Sequence, residues 1–311
     1  MLITGASGLL GANLVLAALQ DGQEVVATSR SNRIRGSGVK CVLADLSVPG
    51  TAAKLVSDAG PTSVIHTAAS VDVERCEADR EFAFRINADV PAELASMCCE
   101  RGIRFIHIST DAVFAGDSPR PYGEDDAPSP ANEYGRAKLE GERAVLACCP
   151  EAAVVRTTIY GWNAQPKESL GEFFVTRLSH GERVPGFADV FMTPILATDL
   201  ARLLLRLVGM DVSGIVHVAG RECVSKADFG RRIARSFGYD PELVELVSIH
   251  DHPLTAPRPL RPCLRVDRAE ALFGPMPTVD EGIERFRLEQ ATGLPVRLRS
   301  LLAAGMPRST A

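Results

Sequence analysis

Leu2-Ile3-Thr4-Gly5-Ala6-Ser7-Gly8-Leu9-Leu10-Gly11 is the stretch whose reading decides the fold. Leu2-Ile3-Thr4 reads as a short buried strand, and Leu10, Leu14, Ala17 and Ala18 then recur at helical spacing. Strand, glycine turn and helix in that order turn a common glycine pattern into a dinucleotide-site expectation. Gly5 permits the tight turn, Gly8 lets a pyrophosphate approach the backbone, and Gly11 lets the helix pack closely on the strand. The free N–H groups and positive dipole end of that helix would face the phosphates. So little chain precedes Gly5 that the first strand is expected to be short and a signal peptide has no room; a start slightly upstream would lengthen the strand.

Working outward, Glu24–Ser29, Val39–Leu43, Pro61–His66, Arg104–Ser109 and Ala152–Arg156 read as further strands. Helical patterns lie between them at about 51–59, 79–100 and 133–148. The alternation, with strands apolar on both faces, predicts an α/β fold: a doubly wound parallel sheet of the Rossmann type. Past Gly161 the alternation loosens, with helices expected at 171–180, 197–210, 226–237 and 279–291. The chain is therefore divided into a dinucleotide-binding domain over 1–160 and a smaller C-terminal substrate lobe over 161–311. A strand near 214–219 is expected to return to the first domain's sheet. Prolines between 253 and 277 mark irregular loops, and the tail after Gly305 is expected to fray.

The 311 residues are 46% hydrophobic and 23% charged, with a formal net charge of −5. That balance argues against a nucleic-acid partner, which needs a concentrated basic face, but leaves room for a small anionic ligand. No apolar run approaches the ~20 residues of a membrane span, so a cytoplasmic protein is expected. The eight cysteines include the vicinal pairs Cys98-Cys99 and Cys148-Cys149 but no CxxC or Cys/His ligand spacing. All eight are expected to be free thiols in a reducing compartment, with no zinc site. His250 and His252 flank an acidic residue, too little to assign a metal; His66 and His107 fall within strand patterns and read as core histidines.

The most specific chemistry is Ser109-Thr110-Asp111 at the end of the fifth strand, followed by Tyr134-Gly-Arg-Ala-Lys138. A Tyr and a Lys four apart share one helical face. A free phenol has a pKa of about 10, and a nearby ammonium favours the phenolate, moving the tyrosine toward neutral pH. Thr110, at the carboxyl end of a parallel strand, lies where such sheets bind ligands and can hydrogen-bond a substrate oxygen while Tyr134 moves its proton.

With those residues in view, the chain resembles the extended short-chain dehydrogenase/reductases and, within them, the dTDP-4-dehydrorhamnose reductase group. The resemblance rests on GASGLLG at 5–11, VIHTAAS at 64–70, Asn87–Pro91, ISTDAVFAG at 108–116 and PYGEDDAPSPANEYGRAKLEGE at 121–142. It continues through VVRTTIYG at 154–161, TPILATDLA at 193–201 and Arg258-Pro259. It implies a catalytic triad of Thr110, Tyr134 and Lys138, with Tyr134 protonating the carbonyl oxygen as hydride arrives from a nicotinamide. Lys138 would bind the nicotinamide ribose. Gly5, Ser7, Gly8, Leu9, Leu10 and Gly11 match the pyrophosphate loop, Asp45 and Leu46 the adenine pair, and Thr67, Ala68 and Ala69 the segment under the cofactor. Asn87 joins the cofactor set; Asp111 and Arg258 join the substrate set.

The second strand ends Thr28-Ser29-Arg30-Ser31, with no acid to hold the free ribose hydroxyls of NAD. Arg30, with Ser29, suits a 2′-phosphate instead, so NADPH is the expected cofactor. Two positions depart from the reductase pattern. Ala112 stands where the family usually has Tyr, and Arg156–Tyr160 lacks the family's Trp, for which Trp162 is a substitute on the sugar side or else a core anchor. The run Arg258, Arg261, Arg265 and Arg268 is the candidate for the substrate's anionic part. The resulting expectation is an NADPH-dependent reductase of a 4-keto sugar nucleotide, as a possible homodimer. A sugar-nucleotide epimerase and a non-catalytic NADP-binding subunit, like that of methionine adenosyltransferase, stand as alternatives. A 4,6-dehydratase fits less well, because Ala112 replaces that group's Glu.

Overall fold

In the computed structural model, residues 1–252 and 254–302 are described; the expected fraying after Gly305 lies outside them. The strands among the described residues are β1 (Leu2–Thr4), β2 (Val25–Ser29), β3 (Val39–Leu43), β4 (Ser63–His66), β5 (Arg104–Ile108), β6 (Ala153–Arg156), β7 (Ile159–Tyr160), β8 (Val184–Phe187), β9 (Phe191–Met192), β10 (Ile195–Leu196), β11 (Gly214–His217), β12 (Val224–Ser225) and β13 (Val244–Val247). The helices are α1 (Leu9–Gln20), α2 (Thr51–Ala59), α3 (Val73–Ala78), α4 (Arg80–Phe84), α5 (Val90–Glu100), α6 (Glu133–Cys148), α7 (Leu170–Ser179), α8 (Ala197–Val208), α9 (Lys226–Phe237), α10 (Asp267–Phe273), α11 (Val279–Ala291) and α12 (Leu294–Leu301).

Seven strands make one parallel sheet in the order β11-β6-β5-β4-β1-β2-β3. The expected return strand is β11, which pairs with the outer edge of β6. Alternate residues serve opposite faces. Ile3, Ile65, Ile106 and Val155 join the core beneath α1, α8 and α12, whereas Leu2, Val64, Phe105 and Val154 join the core beneath α2, α5 and α6. Each such fully buried apolar side chain is worth roughly 1.5–3 kcal/mol, which explains the runs of consecutive apolar residues in these strands. The order reverses between β1 and β4, and the crevice at that switch point, at the strands' carboxyl ends, is where an open α/β sheet binds its ligand.

Three local expectations need correction. The helix read over 79–100 starts at Arg80, and its middle, Arg85–Asp89, is a π-helical turn. That widened turn lets the Asn87 amide hold Ser70, accepting from its N–H and donating to its C=O at 3.0 Å each. Cys223 and Cys263 are joined as a disulfide with Cα atoms 5.7 Å apart, so the expectation of eight free thiols is wrong for this pair. They stand 40 residues apart, and the fold rather than any local motif brings them together. Trp162 is a core anchor: its ring stacks on Phe286 at 4.2 Å and its Nε1 donates to the Phe286 carbonyl at 2.9 Å.

Candidate active site

The crevice is a cavity of about 770 Å³. Its wall includes the expected Gly5, Ser7, Gly8, Leu9, Leu10, Gly11, Ser29, Arg30, Asp45, Leu46, Thr67, Ala68 and Ala69, together with Thr110, Asp111, Tyr134 and Lys138. Asn87 and Arg258 do not line it. Asn87 acts one layer back, through Ser70.

The glycine loop is built as an anion cradle. Gly5 takes a φ of 65°, a left-handed conformation open to glycine without strain. A Cβ on Gly11 would lie 2.2 Å from the Gly5 carbonyl oxygen, so only glycine lets α1 start this close to β1. Among the described residues no side chain caps α1 and its first turn carries no acid. The N–H groups at its start are thus left for a ligand phosphate, which the dipole favours. Across the loop, Gln165 donates from Nε2 to the Ser7 carbonyl at 2.7 Å. At the far end, Arg30, Ser31 and Asn32 line the wall after β2, and Ser47 hydrogen bonds hold the Asp45 carboxyl below the usual range. A free phosphate-binding cradle with a guanidinium at its ribose end fits a phosphorylated dinucleotide.

The reacting side depends on how α6 begins. Asn132 caps it by accepting from Gly135 N–H at 2.8 Å. A Cβ on Gly135 would lie 2.3 Å from the Ala112 carbonyl oxygen, so the helix sits directly on the turn after β5. That contact brings Tyr134 beside Thr110, whose hydroxyl donates to Asp111 Oδ1 at 3.1 Å and accepts from Ala112 N–H at 3.2 Å. Asp111 is buried and also accepts from Thr158 Oγ1; burial pushes its carboxyl up, and the two hydroxyls pull it back. One turn along α6, Lys138 is 1% exposed and donates to the Ile108 carbonyl at 2.7 Å.

The expected downward shift of Tyr134 is not what the surroundings produce. Burial pushes the phenol well above the usual tyrosine range, and the Thr110 hydrogen bond only partly offsets it. Burial also lowers Lys138, to about 8. Desolvation decides the direction, so Tyr134 stands protonated, as a proton donor must.

Sequence reading missed several groups. Glu142, one turn beyond Lys138, takes a bidentate pair from Arg156 at 2.9 and 2.6 Å and a hydrogen bond from Ser109 Oγ at 2.5 Å, fully buried. Arg75, its guanidinium 3.8 Å over the Phe82 ring, and Lys167 line the cleft as additional cations. The Glu142 pairings follow from no local pattern, since Ser109 and Arg156 lie on other strands of the sheet. The arginine run disperses instead of converging. Arg258 pairs with Glu74 at 2.8 Å, Arg261 lies over Phe191, Arg265 pairs with Asp267, and Arg268 donates to the Ser213 and Ile215 carbonyls. Among the described residues no three His, Cys, Asp or Glu side chains gather as a metal site, and no helix is long and apolar enough to cross a membrane.

Comparison with known proteins bears on this geometry. The family described as RmlD substrate binding domain matches residues 1–290. A probable low-salt glycan biosynthesis reductase, Agl14, of Haloferax volcanii is 36% identical over 287 residues, covering 90% of this chain and 95% of that protein. A dTDP-4-dehydrorhamnose reductase of Mycobacterium tuberculosis is 36% identical over 83% of this chain and 82% of its own length. Among solved structures, a dTDP-4-dehydrorhamnose reductase from Bacillus anthracis in complex with NADP superimposes with a TM-score of 0.82 at 26% identity, covering 93% of this chain and 98% of that one.

Proposed function

Because this chain belongs to the RmlD substrate binding domain family, we propose that it is an NADPH-dependent reductase of a 4-keto sugar nucleotide, of the dTDP-4-dehydrorhamnose kind. The observation that carries the reading is the meeting of Thr110, Tyr134 and Lys138 in the same cleft as the glycine loop. Relatives named as reductases at 36% identity support reduction over the epimerase and the binding-subunit alternatives. NADPH, when bound, supplies the hydride.

The chain's own residues do the rest. The N–H groups of Leu9 and Leu10 would hold the cofactor's pyrophosphate bridge, and the guanidinium of Arg30 its 2′-phosphate. Thr110 donates to the substrate carbonyl oxygen, turning from Asp111 to do so. Tyr134 then passes its phenolic proton to that oxygen as charge develops on it, and the Lys138 ammonium stabilises the phenolate left behind. Arg258 exchanges Glu74 for the substrate's diphosphate, while Asp111 and Thr158 face the sugar. In this reading residues 1–160 carry the cofactor and 161–311 the sugar-nucleotide side, and the absence of any long apolar helix among the described residues is in keeping with a cytoplasmic enzyme.

The test is NADPH oxidation against dTDP-4-dehydrorhamnose and a panel of related keto sugar nucleotides. Tyr134→Phe is expected to lower kcat by about a thousandfold and to leave NADPH affinity within a few-fold. Unchanged turnover would end the proton-donor assignment. Tight NADPH binding with no turnover on any keto sugar would favour the binding-subunit reading.

A further inference from the structure

The Lys138 ammonium lies against β5, where its second contact, besides the Ile108 carbonyl, is His107 Nε2 at 3.3 Å. Lys138 and His107 are both fully buried. An ammonium offers only donors, so the imidazole nitrogen facing it is an acceptor and the ring carries its proton on Nδ1. Among the described residues that Nδ1 has no partner. A buried N–H left without an acceptor costs free energy, and the fold tolerates it beneath the lysine of the triad. The ring itself is held: His66 of β4 stacks on it at 5.4 Å, and Thr4 Oγ1 of β1 fixes His66 Nδ1 at 2.7 Å.

We propose that His107 is a positioning residue for Lys138, its Nε2 lone pair aiming the ammonium into the cleft and favouring its charged form. The inference rests on the triad reading of Lys138. Every other ionisable neighbour of the lysine is committed or neutral. Tyr134 precedes it on α6, and Glu142 follows it and is taken by Arg156 of β6. His66 and His107 are held neutral by burial first and by the lysine's charge second, His66 down to about 3. Burial lowers the lysine to about 8, and Glu142 works against it. An acceptor binds the ammonium more strongly than the neutral amine and so raises the lysine pKa, and losing the acceptor lowers that pKa further. Function needs the ammonium, which is present below the lysine pKa and lost as pH rises through it. Removal of the acceptor therefore moves the basic limb of activity to lower pH.

Two variants of similar polarity separate position from bulk. The side-chain amide of His107→Gln reaches the place of Nε2, whereas that of His107→Asn stops at the place of Nδ1. The readouts are the pH profile of kcat/KM for keto-sugar reduction, the pH profile of NADPH affinity by cofactor fluorescence, and thermal melting. His107→Asn is expected to move the basic limb of both profiles down by about one pH unit, a tenfold loss above the limb. His107→Gln is expected to stay within about twofold of the parent at every pH. Equal shifts in the two variants, or lower melting temperatures with unmoved limbs, would overturn the proposal. If the Asn/Gln contrast appears in NADPH affinity while no keto sugar is reduced, the substrate assignment fails and the role of His107 stands.

Discussion

The glycine loop at 5–11 and the arginine stretch at 258–268 both present positive potential, yet among the described residues only the first leaves its donors unspent on side chains of the fold. The loop's donors are backbone N–H groups, fixed once Gly5 and Gly11 set the path of the chain, and among the described residues no side chain competes for them. The arginines carry their charge on long, mobile stems, and the fold uses it for itself. Arg268 fastens the edge strand β11 by the carbonyls of Ser213, just before it, and Ile215 within it, Arg265 pairs with Asp267, and Arg258 pairs with Glu74 on α3. Potential made of backbone is specific to a place; potential made of side chains goes to whichever partner the tertiary structure supplies.

That contrast can be broken at either end. Gly11→Ala carries the largest expected effect: its Cβ would meet the Gly5 carbonyl oxygen at 2.2 Å, and a clash of about 3 kcal/mol weakens NADPH binding by at least a hundredfold. Titration giving an affinity within threefold of the parent would show that the loop yields. Arg30→Ala is next, expected to lower NADPH affinity ten- to a hundredfold through the lost charge-assisted bonds while leaving NADH unchanged. A parallel fall for both cofactors would remove Arg30 from the 2′-phosphate. Smaller effects are expected in the arginine stretch. Arg258→Ala should raise the substrate KM about tenfold, and Glu74→Gln should lower it by up to about fivefold, the worth of a half-exposed ion pair. Identical KM values in the two variants would leave Arg258 a purely structural clasp. Arg268→Ala should cost about 1 kcal/mol in urea unfolding with KM untouched; a KM change there would mean the whole stretch faces the substrate.

What could be read from the sequence follows the same division. The sheet is legible because strands covered on both faces carry consecutive apolar residues, as Val64-Ile65 and Val154-Val155 do. The glycine loop and the Tyr134–Lys138 spacing were legible because a turn and a single helical turn are local objects. The Glu142–Arg156 pair, the Gln165 contact with Ser7, the Arg258–Glu74 pair and the Cys223–Cys263 disulfide each join distant stretches, and no local pattern announces such partners. Asn87 shows the intermediate case. Its segment carries a family-like motif, but the π-turn that aims its amide at Ser70 instead of the cleft has no signature in Arg85-Ile-Asn-Ala-Asp89. The direction of the Tyr134 shift was also out of reach, because it depends on how dry the site is.

The return of β11 to the sheet has a consequence for how the molecule is made. β6 leaves the outermost row of its amides and carbonyls open until Gly214–His217 arrives from far along the chain. During synthesis that raw edge is exposed while the intervening residues emerge, and an unpaired parallel edge invites another chain to dock there. Arg268, which ties β11 in place from still further downstream, is then a late fastener, and slow or interrupted translation between β6 and β11 prolongs the exposure of that edge.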